Sequence, residues 1–138
     1  MAEQLIYKLS KIDEVASKVM ASKDPGIVCL RGPMGSGKTT LVKHCLKFLG
    51  IKDSGNSPTF GIVNEYSNNN VIAYHLDCYR LKTEEEALDF GIEEYLDSDK
   101  WVFIEWPSII ETLLPENRIE INIEILENSS RKLLLSQL

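Results

Sequence analysis

Eight consecutive residues, Gly32-Pro33-Met34-Gly35-Ser36-Gly37-Lys38-Thr39, follow the pattern of glycine, four residues, glycine, lysine, then serine or threonine. The chemistry of this spacing is the capture of phosphate. Glycines let successive backbone N–H groups converge on an anion where side chains would block the approach. A helix that starts at Lys38 adds its dipole at the same point. Lys38 supplies a mobile positive charge for the terminal phosphates, and the Thr39 hydroxyl suits the Mg²⁺ they carry. Context makes the match specific: residues 27–30 read as a short strand buried on both faces, and residues 38–49 as a helix.

Such a loop needs acidic partners for the metal and for an attacking water, and the ends of neighbouring buried strands are where these lie. Glu105 directly follows the apolar run Trp101-Val102-Phe103-Ile104, the placement expected of a Walker B acid; an exposed strand-end carboxylate is its other reading. Asp77 ends a strand over 71–77, and the residues alone leave a metal ligand and a solvated side chain equally open. Trp106 either lines the pocket or closes the core, and aromatics at strand ends favour the core. His75 shares a strand face with Asp77 and reads as a packed, hydrogen-bonded residue, and His44 lies on a helix face. Ser57-Pro58-Thr59 has the shape of a switch segment or of a plain turn.

The chain has no Asn-Lys-x-Asp element of the kind that reads guanine. Its four arginines, Arg31, Arg80, Arg118 and Arg131, are too scattered for the lid of a kinase. ATP hydrolysis or ATP-dependent switching is therefore the favoured class. A small P-loop metabolite kinase and an ATP-gated interaction module stay open as alternatives.

The elements that must hold these residues follow from periodicity. Residues 4–9 alternate with Leu5, Tyr7 and Leu9 on one side, a half-buried strand, and Ser10 is placed to cap a helix over 11–21. Residues 51–58 form a loop, and strands over 60–66 and 71–77 make an antiparallel hairpin through Ser67-Asn68-Asn69-Asn70. Thr83 and Glu86 form a capping box for a short helix ending before Gly91, and a helical turn over 92–96 follows. A buried strand over 101–104, a short helix over 107–114, and a final hairpin with Ile119, Ile121, Ile123 and Ile125 alternating before Leu133 complete the pattern. Helices and strands interleave first and strands pair locally later, which predicts an α/β layer fold with a mixed sheet.

Composition sets the outer limits. The chain has 138 residues, 15 Lys and Arg against 21 Asp and Glu, a net charge of −6 and 43% hydrophobic residues, which predicts one domain over 1–138 with its own core. The acidic balance argues against non-specific nucleic-acid binding, so any contact with RNA is expected to be indirect or local. Cys29, Cys45 and Cys78 are odd in number and widely spaced, so packed thiols are expected and neither a disulfide nor a zinc site is. No apolar run approaches the ~18 residues of a membrane span, and residues 1–10 do not resemble a signal peptide, which predicts a cytoplasmic protein with no membrane association.

Taken together, these segments resemble the TsaE (YjeE) family. The resemblance is carried by residues 32–40 with their doubled Thr39-Thr40, Ser57-Pro58-Thr59-Phe60, Tyr74-His75-Leu76-Asp77-Cys78-Tyr79-Arg80-Leu81, Gly91-Ile92-Glu93-Glu94-Tyr95 and Ile104-Glu105-Trp106. It implies a three-layer, P-loop NTPase-like α/β fold around a mixed central sheet. The implied activity is a weak, Mg²⁺-dependent hydrolysis of ATP, required for threonylcarbamoyl modification of the adenosine beside the anticodon of tRNA. The implied partners are the TsaD–TsaB transferase pair, with tRNA met only indirectly. By the same resemblance Glu105, Lys38 and Asp77 are catalytic, and Thr39, Asp77 and Glu105 lie at the metal. Gly32, Met34, Gly35, Ser36, Gly37, Lys38, Thr39, Thr40 and Trp106 bind the nucleotide, and Thr59 belongs to a switch loop. Two departures stand out: Pro33-Met34 replaces the usual Asp-Leu, which removes one N–H from the loop, and Pro107 follows Trp106.

Overall fold

Apolar runs with no polar face can be satisfied only inside a sheet covered on both sides, and that requirement organises the chain. In the computed structural model, residues 2–21, 24–52, 61–68 and 70–137 are described. In chain order they form β1 (Ala2–Tyr7), α1 (Ile12–Val19), β2 (Ile27–Arg31), α2 (Lys38–Phe48), β3 (Val63–Ser67), β4 (Ile72–Asp77), α3 (Glu84–Asp89), α4 (Ile92–Leu96), β5 (Trp101–Glu105), β6 (Ile119–Ile125) and β7 (Arg131–Gln137). Short 3-10 segments cover Leu9–Lys11, Pro107–Leu113 and Glu127–Ser129. The seven strands make one sheet in the order β1-β7-β6-β2-β5-β4-β3. Strands β6, β2, β5 and β4 run parallel, while β3, β7 and β1 join antiparallel at the edges. The α/β class with a mixed sheet is as expected.

The period of two in the central strands divides the core into two layers. Val28, Leu30, Trp101 and Phe103 pack under α1 and α2 against Val15, Val19, Leu41 and Val42. Ile27, Cys29, Val102 and Ile104 face the other way, onto Ala87, Ile92 and Ile110. The three cysteines are buried free thiols, and burial pushes each up to about 12, so none is a ready nucleophile. Among the described residues no helix is long and apolar enough to cross a membrane.

Local expectations fail where pairing or packing overrides pattern. Strand β1 stops at Tyr7 because its ladder with β7 ends at the pair Tyr7 and Arg131, so Leu9 leaves the sheet and is 66% exposed. Ser10 lies in the 3-10 segment and does not cap α1, which follows Lys11 without a side-chain cap. What fixes α1 is its buried stripe of Ile12, Val15, Ala16 and Val19. Strand β3 begins at Val63, three residues later than expected, after the turn at Gly61 and Ile62. Ile125 is exposed at the end of β6, although Ile121 and Ile123 are buried. The predicted capping of α3 is present: Glu86 N donates to Thr83 Oγ1 at 3.2 Å, and its carboxylate accepts from Lys82 N at 3.1 Å. Most of the loop at 51–58 lies outside the described residues, as do Thr59 and Phe60.

The sheet face away from α1 and α2 is closed near the end of β2 by a charged cluster. Arg31 Nε donates to Glu120 Oε1 at 2.7 Å, Arg118 Nε donates to Glu120 Oε2 at 2.6 Å, and Arg31 Nη2 reaches Glu111 at 2.9 Å. Burial acts to raise the Glu120 carboxyl, but the two guanidinium groups outweigh it and hold it below the usual carboxylate range. A carboxyl lowered by folding stabilises the native state above its unfolded pKa of about 4.3, and that stability is lost as pH falls through the lower folded value. Glu120→Gln should cost about 2 kcal/mol at pH 7. In urea titrations the gap from the parent should narrow below about pH 4; a gap unchanged down to pH 2 contradicts the pairing.

Candidate functional site

The site forms where three parallel strands end. Because side chains alternate, residues 73, 75 and 77 of β4 and 101, 103 and 105 of β5 point to the face covered by α2. Asp77 and Glu105 are register partners in the β4–β5 ladder, and Leu30 is opposite Glu105 in the β2–β5 ladder. The loop from β2 to α2 therefore passes over the strand ends at the level of both acids. Ligands of open α/β sheets sit at these carboxyl edges.

The loop's glycines are required by geometry. A Cβ on Gly32 would lie 2.7 Å from the backbone oxygen of Ile123, and Gly37, with φ of +100°, sits directly before α2 in a conformation that L side chains rarely adopt. Arg131 clamps the outer side of this loop, its Nε donating to Ser36 O at 3.0 Å.

Lys38, Thr39 and Glu105 meet inside it. Lys38 is buried, donates to Gly32 O at 2.5 Å and lies 3.5 Å from the centre of the Trp106 ring. Burial draws its ammonium below the usual lysine value, with the charges of Glu105 and Asp77 opposing the shift. Glu105 is only 3% exposed. Its carboxylate accepts from Thr39 Oγ1 at 2.8 and 3.0 Å and from His75 Nε2 at 2.6 Å. Burial works to raise this carboxyl, but the His75 ring, the Thr39 hydroxyl and the Lys38 ammonium outweigh it and keep it below the ordinary range. Asp77 is exposed at the end of β4, and its Oδ1 accepts from Tyr79 N at 3.1 Å.

These groups open on one cleft of about 620 Å³, lined by the loop from Met34 to Thr40 and by Gly61, Asp77, Tyr79, Arg80, Glu105 and Trp106. Every site residue expected from the sequence borders it except Gly32, which shapes the loop from behind, and Thr59, which lies outside the described residues. Glu105 is no exposed strand end. Trp106 does not close the core: its backbone is left-handed at φ 55° and ψ 56°, and its ring faces the cleft against Tyr79 at 5.1 Å between centroids. Pro107 disfavours the right-handed helical region for the residue before it, which is consistent with Trp106 not continuing into the 3-10 segment that follows. His75 is hydrogen-bonded as expected, but its partner is the central acid of the site. Its spacing from Asp77 was the readable signal. Tyr79 and Arg80, which also line the cleft, belong to the segment that carries the family resemblance but were given no role in the site.

The donor set fits a nucleotide with its metal. Among the described residues no group of three or more His, Cys, Asp and Glu side chains converges as a metal cage. Mg²⁺ with a nucleotide does not need one, because one hydroxyl, one or two carboxylates and phosphate oxygens complete its shell. Thr39, Asp77 and Glu105 offer that set beside the ammonium of Lys38.

Residues 6–133 match the family model described as "Threonylcarbamoyl adenosine biosynthesis protein TsaE". Among curated proteins, the tRNA threonylcarbamoyladenosine biosynthesis protein TsaE of Rickettsia conorii is 42% identical over 131 residues, covering 94% of this chain and 71% of that one. The protein of the same name in Bacillus subtilis is 37% identical over 120 residues, covering 86% and 75%. Among solved structures, that of Bacillus subtilis YdiB superposes with a TM-score of 0.78 at 28% identity, covering 99% of this chain and 87% of the other.

Two outcomes check the geometry. Gly32→Ala should lower stability by about 2 kcal/mol, because the added methyl meets a backbone carbonyl; an unchanged melting temperature contradicts the close approach. His75→Phe removes a donor from Glu105, and carboxyl NMR titration should show the Glu105 pKa move upward, whereas no movement means the ring does not stabilise the carboxylate.

Proposed function

This chain belongs to the TsaE family and is a protein of tRNA threonylcarbamoyladenosine biosynthesis, and we propose that its part in that process is a slow, Mg²⁺-dependent hydrolysis of ATP. The observation that carries the reading is the meeting of Lys38, Thr39 and Glu105 at the end of a glycine loop, with Asp77 one strand away. Lys38 now rests on the carbonyl of Gly32 and the face of Trp106, and exchanges these partners for β- and γ-phosphate oxygens. Thr39 donates a hydrogen bond to Glu105, which leaves the hydroxyl oxygen's lone pairs for a cation. Thr39, Asp77 and Glu105 would hold Mg²⁺, which when bound neutralises charge on the phosphates.

Glu105 supplies the remaining chemistry. Kept ionised by His75, it accepts a hydrogen bond from the attacking water and orients it toward the γ-phosphate. Asp77, exposed at the cleft, complements the cation. The loop N–H groups and Lys38 stabilise the charge that develops on the transferred group. We propose the TsaD–TsaB transferase pair as the partner, with tRNA engaged through that pair; the net charge of −6 agrees with indirect contact. The cytoplasm is the proposed location.

Lys38→Ala should abolish ATP hydrolysis, and Glu105→Gln should lower kcat by about 10²-fold or more while keeping nucleotide affinity within a few-fold. Hydrolysis by Lys38→Ala at the parental rate overturns the loop assignment. Labelled γ-phosphate recovered on a small acceptor, in place of inorganic phosphate, identifies a kinase. In a reconstituted modification assay with TsaD and TsaB, omitting the chain should stop multiple turnover; equal yield with and without it removes the proposed role.

A further inference from the structure

Capture of an anion by a backbone loop depends on which way its peptide groups face, and Arg131 is placed to decide that. This residue starts β7 and reaches the loop from outside the charged cleft. Its Nε donates to Ser36 O at 3.0 Å, and its Nη2 lies 3.5 Å from Gly35 O. Arg31 and Arg118 pair with carboxylates. Among the described residues the hydrogen bonds of Arg131 go instead to backbone carbonyls, the third being Ser130 O at 3.3 Å. A guanidinium so partnered acts on backbone direction.

A trans peptide points its C=O and its N–H in opposite directions. With Ser36 O drawn outward to Arg131, the Gly37 N–H of the same peptide is turned inward, and it meets no backbone acceptor among the described residues. Ser36 O is also the acceptor that the Thr40 amide would take if α2 began one residue earlier. Held by Arg131, it is not used that way, and the bond at the head of α2 runs from Leu41 N to Gly37 O at 2.9 Å. The amides of Lys38, Thr39 and Thr40 are thereby left without helical acceptors and continue the row of donors that Gly37 begins. Successive N–H groups of this kind are what phosphate oxygens bind. The strut itself is fixed at its base: Arg131 is the register partner of Tyr7 in β1 and of Ile125 in β6, and the turn before it is closed by Leu126 N donating to Ser130 O at 2.8 Å.

We propose that Arg131 is a positioning residue for phosphate binding: by holding the carbonyls of Gly35 and Ser36 outward, it keeps the loop's N–H groups aimed at the anion before the anion arrives. The inference rests on the reading of the loop as an ATP site and adds what orients it; Arg131 acts through the loop and not on the ligand. Donors set in advance spare the ligand the cost of ordering them. Lysine at this position would keep the charge but lacks the planar fork that spans two successive carbonyls.

Inorganic triphosphate with Mg²⁺ is the probe, because it carries only the phosphates. In calorimetry of the full chain, Arg131→Met should weaken its binding by roughly tenfold or more and Arg131→Lys by roughly threefold or more. In amide NMR of the parent, the Gly37 resonance should move downfield when triphosphate is added. In ligand-free Arg131→Lys that resonance should already be displaced from its parental position, while the amides of β2 and β5 keep theirs. The proposal is overturned if Arg131→Lys binds triphosphate as the parent does, since charge alone then suffices, or if Arg131→Met does so. An identical Gly37 resonance in the parent and in Arg131→Lys overturns it as well, and the Lys variant decides the matter should the Met variant fail to fold. In each of those cases triphosphate binding by the parent keeps the phosphate-loop reading. A parent that does not bind triphosphate removes that reading and the role of Arg131 with it.

Discussion

A carboxylate buried at the end of a central strand must find compensating partners or lose its charge. Glu105 meets that constraint with three groups from two elements: His75 from β4, and Thr39 with the nearby ammonium of Lys38 from the start of α2. The same contacts fix the position of β4 relative to β5 and of the start of α2 over both. Stability and chemistry are therefore not separable here. Replacing the acid by an apolar residue would relieve the burial cost but leave a histidine, a hydroxyl and an ammonium without their partner.

The outer elements serve that arrangement. The parallel centre brings the carboxyl ends of β2, β4 and β5 to one edge, and the two-residue period decides that residues 75, 77 and 105 face α2. The antiparallel edge strands add width and supply Arg131 to the back of the loop. On the far face, Arg31 and Arg118 are committed to Glu111 and Glu120, so the positive charge in the cleft comes from Lys38 and Arg80.

Much of this was legible because it depended on local rules. The glycine spacing, the apolar runs of β2 and β5 and the parity of His75 and Asp77 each report a short-range necessity. What could not be read depended on residues distant in sequence. The end of β1 is set by how far β7 can pair with it, not by the alternation that suggested Leu9 belonged to the strand. Likewise the ring of Trp106 faces the cleft because its backbone takes a left-handed turn that brings it over Lys38, 68 positions earlier by sequence number. Type and position suggested a core aromatic, and one backbone dihedral reversed the outcome.

The hydrogen bond from Thr39 to Glu105 links the resting arrangement to the proposed chemistry. A hydroxyl that donates to a carboxylate carries more electron density on its oxygen, which makes that oxygen a better ligand for a hard cation. Glu105, having accepted this hydrogen bond and one from His75, keeps further lone pairs for a water. On the proposed reading, binding and activation draw on different lone pairs of a network that is already assembled, so a nucleotide would enter without reorganising the acid. What has to move is Lys38, whose partners in the resting state are a carbonyl and an aromatic face. On the proposed reading these are weaker than a phosphate dianion and are released when one enters, so the ammonium is the element of the site that senses occupancy, and Trp106 is the first residue to lose a contact as a result.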